Sequence, residues 1–126
     1  MTRALSILYV DDEPDIRLIV EMSLSISPEL TVRTAGSGEE ALGLLIDQRW
    51  RPDVLMVDVM MPGLTGPDVL AALRAEPATE DLPVIFVTAR ARPQDVDTYV
   101  KLGARGVITK PFDPMKLADQ LLTLIG

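Results

Sequence analysis

Residues 7–14 read Ile7-Leu8-Tyr9-Val10-Asp11-Asp12-Glu13-Pro14. Four apolar residues in unbroken succession suit a strand buried on both faces, as in a parallel sheet, rather than the alternation of a sheet with one wet face. Three acids follow directly, and then a proline suited to the first position of a helix. Beyond it Ile16, Ile19, Val20, Met22 and Leu24 lie around one side of a helix over residues 14–25. The stretch thus reads as a buried strand, an acidic turn and an amphipathic helix.

The same unit recurs along the chain. Residues 54–57, 84–87 and, more weakly, 106–108 are further buried strands, whereas residues 30–34 alternate and read as a less buried fifth. Helical patterns separate them. Ser37 and Glu40 have capping-box spacing and open a helix carrying Ala41, Leu42, Leu44, Leu45 and Ile46. Residues 67–75 offer Val69, Leu70 and Leu73. Residues 93–102 offer only Val96, Tyr99 and Val100, and Gly103 ends that helix. Asp113 caps and Pro114 starts the last one, with a stripe of Met115, Ala118, Leu121, Leu122 and Ile125. Five strand–helix alternations predict an α/β three-layer sandwich, a parallel sheet with helices on both faces and right-handed crossovers.

Composition limits the chemistry. The 126 residues make one domain, residues 1–126, with glycines and prolines spread rather than pooled in a linker. There is no cysteine and no histidine, which excludes disulfides, thiolate metal sites, a cysteine nucleophile and an internal phosphohistidine. A net charge of −7 disfavours direct binding to nucleic acid. Apolar runs fall far short of the ~20 residues of a membrane span, and the first five residues are no signal peptide, so a cytoplasmic protein is expected. Gly126 stands where a linker to an effector domain would begin.

In such sheets ligands bind outside the carboxyl ends of the strands. Those positions hold Asp11, Asp12 and Glu13 after the first strand, Asp58 after the third, Thr88 after the fourth and Lys110 after the fifth. Three aspartates brought together repel one another unless a cation compensates. Hard oxygen ligands with room for water suit Mg²⁺. Asp11, Asp12 and Asp58 against Lys110 and one Mg²⁺ come to about zero charge. Such a site tolerates the added charge of a phosphoryl group on Asp58, with Thr88 donating a hydrogen bond to it and Lys110 pairing with it.

These residues resemble the receiver domain of two-component response regulators, the chemotaxis-type fold. The resemblance covers essentially the whole chain. It rests on the run from Leu8 to Glu13, on Asp58 at the end of Pro52-Asp53-Val54-Leu55-Met56-Val57-Asp58 with Met61-Pro62-Gly63 following, on Val87-Thr88-Ala89, and on Lys110-Pro111-Phe112. It implies a flavodoxin-like sheet of order 2-1-3-4-5 with five helices. It also implies that Asp58 accepts a phosphoryl group from a histidine kinase or histidine phosphotransfer protein. Asp12 would ligate Mg²⁺ directly, Asp11 mainly through water, and the Met60 carbonyl would complete the protein ligands. Thr88 and Lys110 would contact the phosphoryl group, with Ala89 small enough to admit it, and the Lys110–Pro111 peptide bond would be cis. Such a domain is a signalling phosphoacceptor that assists its own phosphorylation and dephosphorylation rather than an enzyme.

One position departs from the family's pattern. Val107 stands where an aromatic residue of the fifth strand often reports on the threonine. Output is therefore expected through residues 89–92 and the start of the fourth helix. The surface of helix four, strand five and helix five would change, and a downstream protein, an effector domain or a second copy of this chain would dock there.

Two rivals use related parts. A phosphatase of the haloacid dehalogenase type would take Asp11 as its nucleophile, but it calls for Asp-x-Asp after the first strand and a later acidic pair. A flavin-binding module would need a hydroxyl- and glycine-rich phosphate loop where Asp11-Asp12-Glu13 stands. The blandest reading makes the acids a charge cluster at a helix N-terminus. It leaves the matching strand ends at Asp58 and Lys110 without a role.

Overall fold

The computed structural model describes residues 4–125; residues 1–3 and Gly126, where the linker is expected to begin, lie outside the described residues. Five parallel strands, β1 (Leu5–Val10), β2 (Leu30–Ala35), β3 (Val54–Asp58), β4 (Val84–Thr88) and β5 (Gly106–Thr109), lie in the order β2-β1-β3-β4-β5. The helices between and after them are α1 (Pro14–Ser25), α2 (Gly38–Leu42), α3 (Gly66–Arg74), α4 (Pro93–Leu102) and α5 (Leu117–Ile125). This is the flavodoxin-like α/β sandwich expected from the sequence. No helix among the described residues is long and apolar enough to cross a membrane.

The strands are apolar throughout because both faces are covered. Side chains alternate, so Ile7, Tyr9, Val54, Met56, Ile85 and Val87 point to one side. There they pack with Val20 and Leu24 of α1 and with Leu117 and Leu121 of α5. Leu8, Val10, Leu55, Val57, Val84 and Phe86 face the other side, packing with Ala41 of α2 and with Val69, Leu70 and Leu73 of α3. Right-handed crossovers require this split, because the chain leaves β1 in one direction across the sheet and β3 in the other. The order reverses between β1 and β3, and a crevice opens at their carboxyl ends.

Several boundaries differ from the sequence reading. Asp58 and Thr88 are the last residues of β3 and β4 rather than the first residues beyond them. The Ser37 side chain accepts from the Glu40 amide at 3.0 Å, but Glu40 reaches the Gly36 amide instead of closing a capping box on Ser37. Helix α2 continues as a π-helical turn over Gly43–Asp47. A complete capping box stands instead at α3, between Thr65 and Asp68.

The last helix starts later than Pro114. The Asp113 carboxylate accepts from the Met115 amide and its carbonyl from the Lys116 amide, each at 2.9 Å, which closes a tight turn before α5. Met115 is 77% exposed, so it does not belong to the buried stripe. On α1, likewise, only Val20, Ser23 and Leu24 are fully buried, while Met22 is 64% exposed. Met22 is about 200° around the helix from Val20 and faces away from the sheet.

Candidate functional site

Three strand ends converge on Lys110. Its ammonium donates to Asp11 Oδ2 at 2.8 Å and to Asp58 Oδ2 at 2.9 Å, so the residue after β5 bridges the residue after β1 and the end of β3. The Lys110–Pro111 bond is cis. Asp58 is 6% exposed, and its Oδ1 accepts from the Met60 amide at 3.3 Å. Asp11 is fully buried; its Oδ1 accepts from the Glu13 amide at 3.0 Å and its Oδ2 also receives the Tyr9 hydroxyl at 2.7 Å. Arg17 donates to the Asp11 carbonyl at 2.7 Å, which fixes the turn from β1 into α1.

One carboxylate oxygen from each of Asp11, Asp12 and Asp58 lies within 4.8 Å of the others, with Asp12 exposed and the other two buried. The donors are all oxygen, and the cluster opens to water through Asp12. Such a set fits a hard divalent cation that keeps part of its hydration.

The electrostatics follow from burial and pairing. Burial pushes the Asp58 carboxyl above its ordinary value and the Asp11 charge adds to the effect, outweighing Lys110 and the Met60 amide, which act the other way. Burial alone would lower the Lys110 ammonium, but hydrogen bonds and charges from Asp11 and Asp58 together raise it, so it stays protonated at neutral pH. Burial, and then the hydrogen bond to Asp11, drive the Tyr9 phenol far above its ordinary value, leaving it a donor only.

Thr88 is 4% exposed, and its Oγ1 accepts from the Arg90 amide at 3.0 Å, which ties the strand to the loop before α4. A groove of about 350 Å³ runs over the site, lined by Glu13, Asp58, Met60, Thr88, Ala89 and Lys110 among others. Ala89 leaves its mouth open. Next to it an apolar hollow of about 290 Å³ is bordered by Ile16, Ile19, Pro111 and Phe112. Every candidate residue named from the sequence therefore stands at one crevice. Tyr9 and Arg17 were not among them.

A family model described as response regulator receiver domain matches residues 7–122. The chain belongs to this family. It is a receiver domain of a two-component system, similar over its whole length to the response regulator Rre1 of Synechocystis sp., with 36% identity over 126 residues and 54% of that protein covered. It is 39% identical over 119 residues to the "Probable transcriptional regulator ycf27" of Guillardia theta, covering 94% of this receiver and 44% of that protein. The receiver thus spans about half the length of the curated relatives it matches. Among solved structures, the chemotaxis response regulator CheY4 of Vibrio cholerae superposes with a TM-score of 0.86 at 33% identity, over 98% of this chain and 99% of that one.

Proposed function

We propose that the receiver, residues 1–126, accepts a phosphoryl group on Asp58 from a phosphohistidine of a histidine kinase or histidine phosphotransfer protein. The observation that carries this reading is the Asp58 carboxylate at the groove, held at Oδ2 by Lys110 beside the acidic cluster. An Asp58 oxygen attacks phosphorus, an O–P bond forms, and the P–N bond breaks with its electron pair passing to the imidazole of the donor. Lys110 pairs with charge on the transferring group. The Thr88 hydroxyl, whose oxygen already accepts from Arg90, turns its proton to a phosphoryl oxygen.

Asp11, Asp12, Asp58 and the Met60 carbonyl are the groups that would hold Mg²⁺. When bound, Mg²⁺ neutralises the carboxylates and the charge of the transferring group. Asp11 does not suit the role of nucleophile in a haloacid dehalogenase-type phosphatase, since it is fully buried and three protein donors occupy its carboxylate.

The exposed apolar residues of α1, Leu18, Ile19 and Met22, lead into the hollow at Ile16 and Phe112 and support docking of a partner protein beside the groove. Readout through α4, β5 and α5 to an effector or a second copy of this chain rests on the link from Thr88 to Arg90. A cytoplasmic setting accords with that role. Acetyl phosphate and Mg²⁺ should add the mass of one phosphoryl group to the intact protein. Equal labelling of Asp58→Asn would refute the assignment.

A further inference from the structure

Arg49 has a φ of 56°, and among the described residues no other residue except glycine has a positive value. The Trp50 amide reaches back across it to the Leu44 carbonyl at 2.9 Å, and the Gln48 amide reaches the Gly43 carbonyl at 2.9 Å. Arg49 thus closes the π-helical turn in the left-handed conformation that helix ends usually give to glycine. A bulky side chain is disfavoured there, so the fold forgoes stability at this position. Packing does not account for the residue. Arg49 is exposed and, among the described residues, its guanidinium is in no ion pair or hydrogen bond.

What Arg49 borders is a groove of about 410 Å³. Leu45, Ile46, Arg49 and Arg51 line it ahead of β3, and residues 76–79 line it ahead of β4, so it lies at the amino ends of the strands, away from Asp58. Leu45 is buried and Ile46 half-buried, which makes its base apolar. Arg51 is exposed and, like Arg49, unpaired among the described residues. Two free guanidinium groups beside an apolar base complement a carboxylate next to an aliphatic side chain. A polyanion is a poorer match, because Glu76 lines the same groove and the chain carries a net charge of −7.

We propose that this groove binds an extended acidic segment of a partner protein, in which a carboxylate pairs with Arg49 and Arg51 while a neighbouring aliphatic side chain covers Leu45 and Ile46. The strain at Arg49 is then the cost of placing a guanidinium at the rim of the groove.

Nuclear magnetic resonance of the receiver, residues 1–126, titrated with a capped peptide of alternating glutamate and leucine tests this. Amide shifts at residues 45–51 and 76–79 should move and saturate, less so in high salt. The same peptide with glutamine in place of glutamate should leave them unmoved. Arg49→Gly should melt roughly 3 °C higher than wild type, its strain relieved, yet bind the glutamate peptide about tenfold more weakly, the loss of one charge-assisted hydrogen bond. Equal affinity of Arg49→Gly and wild type would overturn the proposal, as would equal binding of the glutamine peptide. So would shifts at these residues with a single-stranded oligonucleotide but not with the peptide, or a lower melting temperature for Arg49→Gly, which would show that Arg49 serves the fold. The groove is remote from Asp58, so none of these results bears on the phosphoacceptor reading.

Discussion

The rings of Phe86 and Tyr99 meet edge to face, with centroids 5.2 Å apart and planes at 89°. Phe86 is in β4 two residues before Thr88, and Tyr99 is in the second half of α4, so the contact joins that helix to the strand that ends at the site. No other anchor of comparable size is available, because α4 has no fully buried residue.

Helix α4 should accordingly be the loosest helix and the most responsive to what happens at Thr88. Tyr99→Leu is expected to cost about 1–2 kcal/mol, lost aromatic pairing plus lost area. Hydrogen exchange over residues 93–102 should accelerate while β1 and β3 stay protected. Beryllofluoride with Mg²⁺ should change exchange over residues 89–102 in the wild type. Changes confined to residues 11–15 and 58–66 would mean that the signal leaves by another route.

Asp58→Asn should melt higher than wild type at pH 7 without Mg²⁺, by roughly 3–5 °C if the gain is about 1 kcal/mol. The sign comes from the raised carboxyl. A folded-state value above the ordinary 3.8 means that the folded protein holds the proton more tightly than the unfolded chain. Stability from that proton is complete below 3.8 and is lost as pH rises through the folded value. The advantage of the amide should therefore shrink as pH is lowered into that range, measured as the difference in melting temperature between the two proteins. A constant difference from pH 3 to 7 would contradict the burial argument. Lys110, also raised, contributes stability at all lower pH and loses it only above its ordinary 10.5, outside this window.

Mg²⁺ should raise the melting temperature, since it relieves the repulsion of Asp11, Asp12 and Asp58. At one hundred times its dissociation constant the gain is about 2.7 kcal/mol. Asp12→Ala should abolish most of it at the same concentration, because Asp12 is the exposed member of the cluster and is free of the Lys110 bridge. An equal shift in the variant would place the ion elsewhere.

Gly66→Ala should destabilise by about 1–3 kcal/mol. A Cβ at Gly66 would stand 2.8 Å from the Asp58 carbonyl oxygen and 3.0 Å from the Val59 Cα, both backbone atoms that cannot rotate aside. Chemical denaturation would measure the cost. The Asp58 labelling rate should also fall, because the start of α3 would press on the peptide unit that carries Asp58.

What could be read in advance followed from periodicity and from strand ends. The unbroken apolar runs through Val10, Val57 and Val87 required a doubly covered sheet, and the residues after them fell together because parallel strands present their carboxyl ends on one edge. The strand order came from the resemblance, since periodicity alone does not rank strands. Tyr9 was legible but unused: a tyrosine in a central strand needs a partner for its hydroxyl, and a period of two puts it beside Asp11. The turn at Asp113 was not, because Pro114 permits a helix start and only the bonds to Met115 and Lys116 show that the chain turns first. Nor did the pattern of α1 reveal that Met22 faces outward, as six apolar residues in twelve, Leu18 among them, exceed what one face of a helix can bury.

The reach of Lys110 has a mechanical consequence. Between β5 at the rim of the sheet and Asp58 in β3 stands β4, and beyond β3 stands β1 with Asp11. Displacement travelling through hydrogen-bonded strands would have to shear a stiff lattice one ladder at a time. The lysine bypasses that lattice as a single tether, fastened to the rim and hooked on two interior points. Were one hook altered by a bulky charged substituent, the slack or tension would reach the rim through the lysine without first shearing the ladders between.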